Sequence, residues 1–300
     1  MDNKMGYKSI LRADAFAGRN IIVTGGGSGI GRCTAHELAS LGAHVYLVGR
    51  KEEKLLAVQA EIREDGGQAD FRVCDIREEE SVKAMVASIV AECGQVHGLV
   101  NNAGGQFPSP LAVISQRGWE AVVRTNLTGG FLVAREVFVQ SMNRNGGSIV
   151  NITADFWGGM PGMGHSGAAR AGMDNFTKTA AYEWGCCGVR VNAVAPGWIM
   201  SSGMETYPEG FKQVIKRLNH AVPIKRMGHE AEVSSVICFL LSDAASFVSG
   251  TNVRIDGAAS QGNAAVFELP PMPAAISEKQ KPWDGFHRET IPDLFKSDGK

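Results

Sequence analysis

Short apolar runs and amphipathic stretches alternate along most of the chain. Runs such as Val45–Val48 are apolar at successive positions, which is typical of strands buried on both faces of a parallel sheet. The stretches between them place apolar residues at helical spacing, and several end at a glycine, as residues 29–41 do before Gly42. The alternation predicts an α/β fold, a Rossmann-type doubly wound parallel sheet of about seven strands. The strands are expected at 21–23, 45–48, 71–74, 97–100, 148–152, 189–193 and 252–255, and the helices at 29–41, 51–64, 78–93, 116–124, 126–143, 166–184 and 230–241.

This alternation predicts one domain over residues 19–258. Residues 1–18 are polar and weakly patterned, and we interpret them as an N-terminal arm. Residues 259–300 lose the alternation and are rich in proline, which predicts a C-terminal extension outside the sheet.

The first predicted strand leads into a glycine-rich turn, and a helix follows at once. Backbone N–H groups and the positive dipole end of such a helix suit a pyrophosphate, and glycine lets the backbone approach it closely. The predicted contacts are Gly25, Gly27, Ser28, Gly29, Ile30 and Gly31. The second strand ends at Arg50 and Lys51, where an NAD enzyme usually has an acidic residue. Because cations accommodate a 2′-phosphate, we expect Arg50 and Lys51 to bind NADP(H).

Composition excludes several other classes of protein. Lys and Arg total 30 against 31 Asp and Glu, a net charge of −1, so neither a nucleic-acid nor a membrane partner is expected. There is no apolar run of about 18 residues and no N-terminal signal pattern. The six cysteines show no CxxC spacing, which favours reduced thiols in the cytoplasm, and the seven histidines show no metal-ligand spacing. A small-molecule enzyme in the cytoplasm is therefore predicted.

Further motifs make the chain resemble the short-chain dehydrogenase/reductase family over about residues 18–258. They are Asp75-Ile76, Asn101–Gly104, Asn126, Asn151–Thr153, Pro196–Ile199 and Val253–Gly257. The resemblance implies that Asp75 and Ile76 hold the adenine of the cofactor. It also implies that Asn102, Ala103 and Gly104 line the ribose, and that Ile199 binds the nicotinamide carboxamide beside Pro196 and Gly197. A substrate lid at 200–220 and a homotetramer are implied in the same way.

The catalytic positions depart from the family pattern. The family norm is a Tyr and, four residues later, a Lys, with a Ser about 13 residues before the Tyr. Here Ser166 stands at the Tyr position, Arg170 at the Lys position and Thr153 at the Ser position. A serine hydroxyl is a poor acid, and an arginine stays charged and does not relay protons readily.

Two branches of the family lack this Tyr, the 2,4-dienoyl-CoA reductases and the peroxisomal trans-2-enoyl-CoA reductases. The chain resembles the second branch in residues 101–107, 165–172 and 233–236. Those enzymes send hydride to the β-carbon of an acyl thioester, and the resulting enolate needs hydrogen-bond donors more than a strong acid. The predicted donors are Asn126, Thr153, Ser166 and Arg170, with His165 as a further candidate acid. The prediction is an NADP(H)-dependent reductase of an enoyl thioester.

Two other interpretations stay open. Bacterial citronellol/citronellal dehydrogenases are similar to this chain in length and overall pattern, which implies alcohol–aldehyde chemistry on a terpenoid. For that chemistry the missing Tyr is awkward. The third interpretation is a cofactor-binding protein whose catalytic site has decayed. The intact cofactor motifs and the polar replacements argue against it.

Overall fold

The computed structural model describes residues 12–215, 218–262, 270–277 and 281–295. Seven parallel strands form its main sheet, as the sequence predicted, and their order is β3-β2-β1-β4-β5-β6-β9. The strands are β1 Asn20–Thr24, β2 His44–Gly49, β3 Gln68–Val73, β4 Gly98–Asn101, β5 Gly147–Ile152, β6 Val189–Pro196, β7 Ile199–Met200, β8 Gly228–His229 and β9 Asn252–Ile255. The parallel pair β7–β8 was not predicted, because two-residue strands leave no hydrophobic period to detect.

Helices cover both faces of the sheet. They are α1 Gly29–Ser40, α2 Glu52–Glu64, α3 Glu79–Cys93, α4 Gln116–Val123, α5 Gly129–Val137, α6 Asn143–Asn145, α7 Gly164–Trp184, α8 Glu209–Ile215, α9 Leu218–Ala221, α10 Glu230–Leu241 and α11 Ala274–Ser277. Widened π-helical turns at Arg124–Thr128 and Phe138–Met142 join α4 to α5 and α5 to α6. The helices predicted at 116–124 and 126–143 are therefore one helical path with two local bulges.

The core has one layer on each side of the sheet. On β1, Ile21 and Val23 pack in the layer that contains Leu38 of α1 and Ile237 of α10. Ile22, between them, packs in the opposite layer, which the inner faces of α3 and α5 help to form. Burial of successive residues explains why the inner strands read as unbroken apolar runs. The edge strand β3 is only partly buried, and it begins three residues before the predicted start at 71 because its first residues are not an apolar run. The carboxyl ends of the parallel strands meet at one edge, and the strand order reverses there between β1 and β4, where doubly wound sheets bind ligands.

Both terminal segments contact the sheet domain where they are described. Phe16, inside the predicted arm, is buried, and its N–H donates to the carbonyl oxygen of Leu41 at 2.9 Å. Phe286, inside the predicted extension, is buried against Cys33 of α1 and Ala231 of α10. Residues 270–277 and 281–295 add no strand to the main sheet. The predicted boundaries at 18 and 258 stay predictions, and residues 1–11, 263–269, 278–280 and 296–300 lie outside the described part.

A buried carboxyl under this extension gives a stability prediction. Glu230, at the start of α10, is 4% exposed, and burial together with nearby Glu289 raises its pKa to about 7. A raised pKa means that folding penalises the ionised form, so the penalty is absent well below pH 4.5 and complete above pH 7. We expect Glu230→Gln to raise the free energy of unfolding by about 3 kcal/mol at pH 8 and by less than about 1 kcal/mol at pH 5.

Denaturant unfolding at the two pH values measures this difference. Glu53→Gln, at an exposed position of α2, is the control and should change stability at neither pH. A Glu230→Gln effect of the same size at pH 5 and pH 8 would contradict the account of this carboxyl.

Candidate active site

Two adjoining cavities lie at the carboxyl edge of the sheet. The first has a volume of about 250 Å³ and extends from the glycine-rich turn to Arg50 and Asp75. The second has a volume of about 460 Å³ and extends from the same turn to Arg170 and the segment after β6. Their shared walls are Gly25, Ser28, Ala103 and Gly104. The predicted cofactor residues other than Gly29 and Gly31 thus line one or both of these cavities, which lie at the switch point where doubly wound sheets bind dinucleotides.

The glycine-rich turn is held by its neighbours after β4. The Nδ2 group of Asn102 donates to the carbonyl oxygen of Thr24 at 2.9 Å. The backbone N–H groups of Asn102 and Ala103 donate to Thr24 Oγ1 at 3.0 and 2.9 Å. A Cβ on Gly31 would overlap the carbonyl oxygen of Gly25 and lie 2.5 Å from Asn102 Nδ2. The side chain of Asn102 therefore shapes the turn, and Thr24 is a site residue to which the sequence assigned no role.

Four cations surround the first cavity. Arg50 and Lys51 line it as predicted, and Lys54 and Arg77 line it as well. Arg77 forms a two-pronged ion pair with Asp75, and these hydrogen bonds lower the pKa of Asp75 to about 2. Asp75 stays ionised and fixed while the cavity keeps a net positive charge. Ile76 completes the wall beside it. This surface fits a phosphate better than a neutral hydroxyl.

Arg170 is a buried cation on the wall of the second cavity. It projects from α7, is 9% exposed, and donates from Nη1 to the carbonyl oxygen of Ile152 at 2.6 Å. Burial lowers its pKa to about 10. Its Nε has no hydrogen-bond partner, and no carboxylate pairs with it among the described residues. A Cβ on Gly104 would lie only 2.6 Å from Nη2, so any larger residue there would displace the guanidinium. Nη2 makes no hydrogen bond to a described residue and lies beside Gly104 of the cavity wall, so this group favours an acceptor from a bound molecule.

Asn126 and Thr153 are placed differently from the prediction. Asn126, on the π-helical turn, exchanges two hydrogen bonds of 2.9 Å with the backbone of Gly105. Thr153 follows β5, and its hydroxyl donates to the carbonyl oxygen of Val194 at 3.0 Å and contacts Asn252. Both groups already pair inside the protein, so this geometry favours a positioning role over the predicted role as direct donors to a substrate. Thr153 and the next residue, Ala154, both line the cavity.

Ser166 takes part in a polar chain that crosses from α7 to the segment after β7. Its hydroxyl is fully buried and donates to Gln106 Oε1 at 2.6 Å. Gln106 Nε2 in turn donates to the hydroxyl of Tyr207 at 2.9 Å. Gln106 and Tyr207 line the cavity. The sequence assigned no role to Gln106 or Tyr207 beyond placing the first in a stretch of resemblance and the second in the predicted lid, because no local pattern pairs residues 101 positions apart.

His165 is not placed to protonate a molecule in the cavity. It is fully buried, its Nδ1 accepts the backbone N–H of Ser166 at 2.9 Å, and its ring meets Phe107 edge-on at 4.5 Å. It does not belong to the described cavity walls. The geometry therefore favours support of the start of α7 over the predicted role as an acid.

The segment predicted as a lid carries an apolar cluster. Met204, Ile215 and Met227 form its buried centre, and seven partly buried apolar residues pack against them. Those neighbours are Trp198, Met200, Tyr207, Phe211, Leu218, Leu294 and Phe295. The extension thus reaches the lid through Leu294 and Phe295. The side chain of Val214 and residues 216–217 lie outside the described part of the chain.

In the described ranges, no group of three or more His, Cys, Asp or Glu side chains could hold a metal ion. None of the helices found there has the length and apolar character that crossing a membrane requires.

Comparison with known proteins supports an oxidoreductase. Residues 25–260 match the family model described as Enoyl-(Acyl carrier protein) reductase. A probable 2,4-dienoyl-CoA reductase of Bacillus subtilis (strain 168) is 36% identical over 241 residues, covering 79% of this chain and 94% of its own. The peroxisomal 2,4-dienoyl-CoA reductase of Danio rerio is 33% identical over 257 residues, 84% of this chain and 85% of its own.

Solved structures of similar chains agree. A citronellol catabolism dehydrogenase (AtuB) of Pseudomonas aeruginosa PAO1 shares 66% of its sequence, with a TM-score of 0.76, over 85% of this chain and 100% of its own. A second solved structure is 30% identical in sequence to this chain. It is described as a putative NAD(P)-dependent gluconate 5-dehydrogenase from Beutenbergia cavernae with bound NADP at low occupancy. Its TM-score is 0.77 over 84% of this chain and 100% of its own.

Proposed function

Because this chain belongs to the short-chain dehydrogenase/reductase family, we propose that it reduces the conjugated C=C bond of an enoyl thioester with NADP(H). The observation that carries the proposal is Arg170, a buried guanidinium on the wall of the cavity whose Nη2 lies beside Gly104 and makes no hydrogen bond to another described residue. The glycine cradle at Gly25, Gly31 and Gly104 and the cationic first cavity fit the cofactor. When bound, the reduced nicotinamide supplies a hydride equivalent.

Charge develops on the thioester oxygen when the β-carbon accepts the hydride equivalent. Arg170 N–H groups on the cavity wall stabilise that oxyanion, and one oxyanion donor is typically worth about 3–4 kcal/mol in enzymes that use one. The same cation can hold the ribose of the cofactor, as its position in the family pattern implies. Asn126 keeps Gly105 beside it through the paired backbone hydrogen bonds.

The catalytic helix lacks a suitable base for alcohol oxidation. Such a base must take the hydroxyl proton of the substrate. Ser166 stands where the family places its Tyr, yet its hydroxyl is buried and donates to Gln106. Arg170, at the Lys position, hydrogen-bonds the backbone of Ile152 and makes no described contact with the Ser166 hydroxyl. A conjugated C=C bond is therefore the acceptor that positions 166 and 170 of α7 suit best.

A second candidate is oxidation of a terpenoid alcohol. The observation that favours it is the 66% identity to the citronellol catabolism dehydrogenase of Pseudomonas aeruginosa PAO1. The apolar lid cluster around Met204 fits a branched terpenoid chain as well as a linear acyl chain.

A substrate panel separates the candidates. The purified protein is assayed with NADPH and enoyl-CoA thioesters of several chain lengths, with NADPH and citronellal, and with NADP⁺ and citronellol. We expect turnover of the thioesters. Robust oxidation of citronellol with no activity on any enoyl-CoA would replace the proposal by the second candidate, and cofactor binding with no turnover at all would indicate a decayed site.

The four cations of the first cavity predict the cofactor preference. We expect the wild-type protein to bind NADPH at least about tenfold more tightly than NADH, because a 2′-phosphate gains charge-assisted hydrogen bonds there. Arg50→Asp should reverse the preference. Fluorescence titration with both cofactors measures the dissociation constants.

The control is Arg144→Asp, which makes the same charge change at an exposed residue of α6, and it should leave the preference unchanged. Equal affinity of the wild-type protein for NADH and NADPH would show that the cations do not bind a 2′-phosphate.

We also propose a homotetramer in the cytoplasm. Phe131 on α5 and Val139 on the following π-helical turn are large apolar side chains with 37% and 53% exposure, which supports a subunit contact on this face. Light scattering should give a mass near four times 32.0 kDa. A monomer at micromolar concentration would contradict this assembly.

A further inference from the structure

We infer that Tyr207, on the lid segment 200–220, is the proton donor of this site, and that Gln106 and Ser166 orient its hydroxyl. The inference rests on the proposed function, because it assigns the acid for the reduction of an enoyl thioester. The family pattern gives no acid here, since its Tyr position holds Ser166. The structure brings a different phenol to the same cavity.

Hydrogen-bond directions leave the Tyr207 proton unused. Ser166 donates its hydroxyl hydrogen to Gln106 Oε1, so the amide group of Gln106 turns its NH₂ toward Tyr207. The Tyr207 oxygen accepts that hydrogen bond at 2.9 Å. A phenol that accepts one hydrogen bond still has its own O–H to donate. Because Tyr207 lines the second cavity, a bound molecule can receive that hydrogen.

The ring of Tyr207 is held from the other side. Its centroid lies 5.1 Å from that of Phe211, and both rings pack against the buried cluster of Met204, Ile215 and Met227. The hydroxyl is thus positioned at one end by Gln106 and the ring at the other by the lid. Arg170 and Tyr207 line the same cavity, so the cation and the phenol can act on one substrate.

Reduction of the C=C bond requires a hydride equivalent at the β-carbon and a proton at the α-carbon. The β-carbon gains a C–H bond from the hydride equivalent of the reduced nicotinamide, and the C=C electron pair moves to form an enolate. The O–H bond of Tyr207 then breaks as a C–H bond forms at the α-carbon, and the thioester carbonyl is restored. The phenolate regains a proton from water at the mouth of the cavity, since Tyr207 is only partly buried. The net reaction consumes the enoyl thioester, the reduced cofactor and one proton.

Ser166 acquires a defined role in this scheme. Its short side chain makes room for Gln106, and its hydroxyl fixes the orientation of the amide. A tyrosine at position 166 would occupy that space. The acid has therefore moved from α7 to the lid, and Gln106 links the two. Ser166 and Gln106 are positioning residues, and Tyr207 is the catalytic one.

Tyr207→Phe tests the inference, with crotonyl-CoA and NADPH in D₂O. The wild-type protein should place deuterium on one face of the α-carbon. We expect the variant to lose about 10²-fold in kcat, the usual contribution of a general acid, and to place deuterium on both faces. Its dissociation constant for NADPH should stay within about twofold. NADPH deuterated at nicotinamide C4 labels one face of the β-carbon as a reference, so the coupling between the α and β protons in the NMR spectrum of the product reads the facial distribution at the α-carbon. A purely structural defect would not scramble that distribution.

Two further variants sharpen the result. Tyr182→Phe makes the same change at a fully exposed tyrosine of α7, and it should keep both rate and stereochemistry. Gln106→Leu leaves the phenol but removes its hydrogen bond, so we expect a smaller loss of rate and partial scrambling. It also provides a test if Tyr207→Phe fails to fold.

The outcomes distinguish this inference from the proposed function. If the wild-type protein reduces enoyl thioesters and Tyr207→Phe keeps its rate and one-face labelling, the assignment of Tyr207 is overturned while the proposed function stands. If the wild-type protein is inert toward every enoyl thioester, the proposed function fails, and this assignment fails with it.

Discussion

Arg170→Met is expected to lower kcat/KM for an enoyl thioester by about 10³-fold. The methionine keeps most of the side-chain volume but removes the cation that faces the cavity, and the loss of one oxyanion donor costs about 10²–10³-fold in rate. Binding of NADPH should weaken as well, because the proposed role of the guanidinium includes holding the ribose of the cofactor. Steady-state kinetics and fluorescence titration measure the two effects separately.

The conservative variant makes this test stricter. Arg170→Lys restores a positive charge but not the planar set of donors, so we expect it to recover only part of the loss. Arg144→Met, at an exposed residue far from the cavity, should behave like the wild-type protein. If Arg170→Met kept more than about a tenth of the wild-type kcat/KM, the cation would not be the main oxyanion donor.

Gly31→Ala should abolish measurable binding of NADPH, with a loss of at least about 10²-fold in affinity. The added methyl group would overlap the carbonyl oxygen of Gly25 and the amide of Asn102, and neither is the free end of a flexible chain. The turn would have to open, and its N–H groups would no longer converge on a phosphate. Isothermal titration calorimetry measures the loss.

Gly185→Ala is the matched control for this change. A Cβ there would meet no atom within 4 Å, and the backbone has a helical φ of −57°, so cofactor binding should not change. Normal NADPH affinity in Gly31→Ala would show that the turn does not contact the pyrophosphate.

Local pattern was sufficient for the main elements of this fold. The strands could be predicted because burial on both faces makes them continuous apolar runs, and the turn because its glycines occupy one short stretch between β1 and α1. The pair β7–β8 and the π-helical turn that carries Asn126 could not, since neither has a hydrophobic period of its own.

The arrangement of the site depends on contacts that no local pattern shows. Thr153 occupies the position of the family's Ser, but its hydroxyl hydrogen-bonds Val194 and Asn252, which belong to two other strands. Arg77 joins the cationic cavity only because its pairing with Asp75 places it there. Tyr207 meets Gln106 across 101 residues of chain. Tertiary packing determines these pairings. The sequence therefore indicates which residues belong to the site but not which residues they hydrogen-bond.

The destination of the hydride tests the central proposal most directly. The protein is given NADPH labelled with deuterium at nicotinamide C4, together with an enoyl thioester or the corresponding α,β-unsaturated aldehyde, and the products are examined by NMR. Either substrate offers both a conjugated C=C bond and a carbonyl carbon. The account predicts deuterium at the β-carbon of the saturated product. Deuterium at the carbonyl carbon of the aldehyde, with the thioester left unreduced, would contradict it.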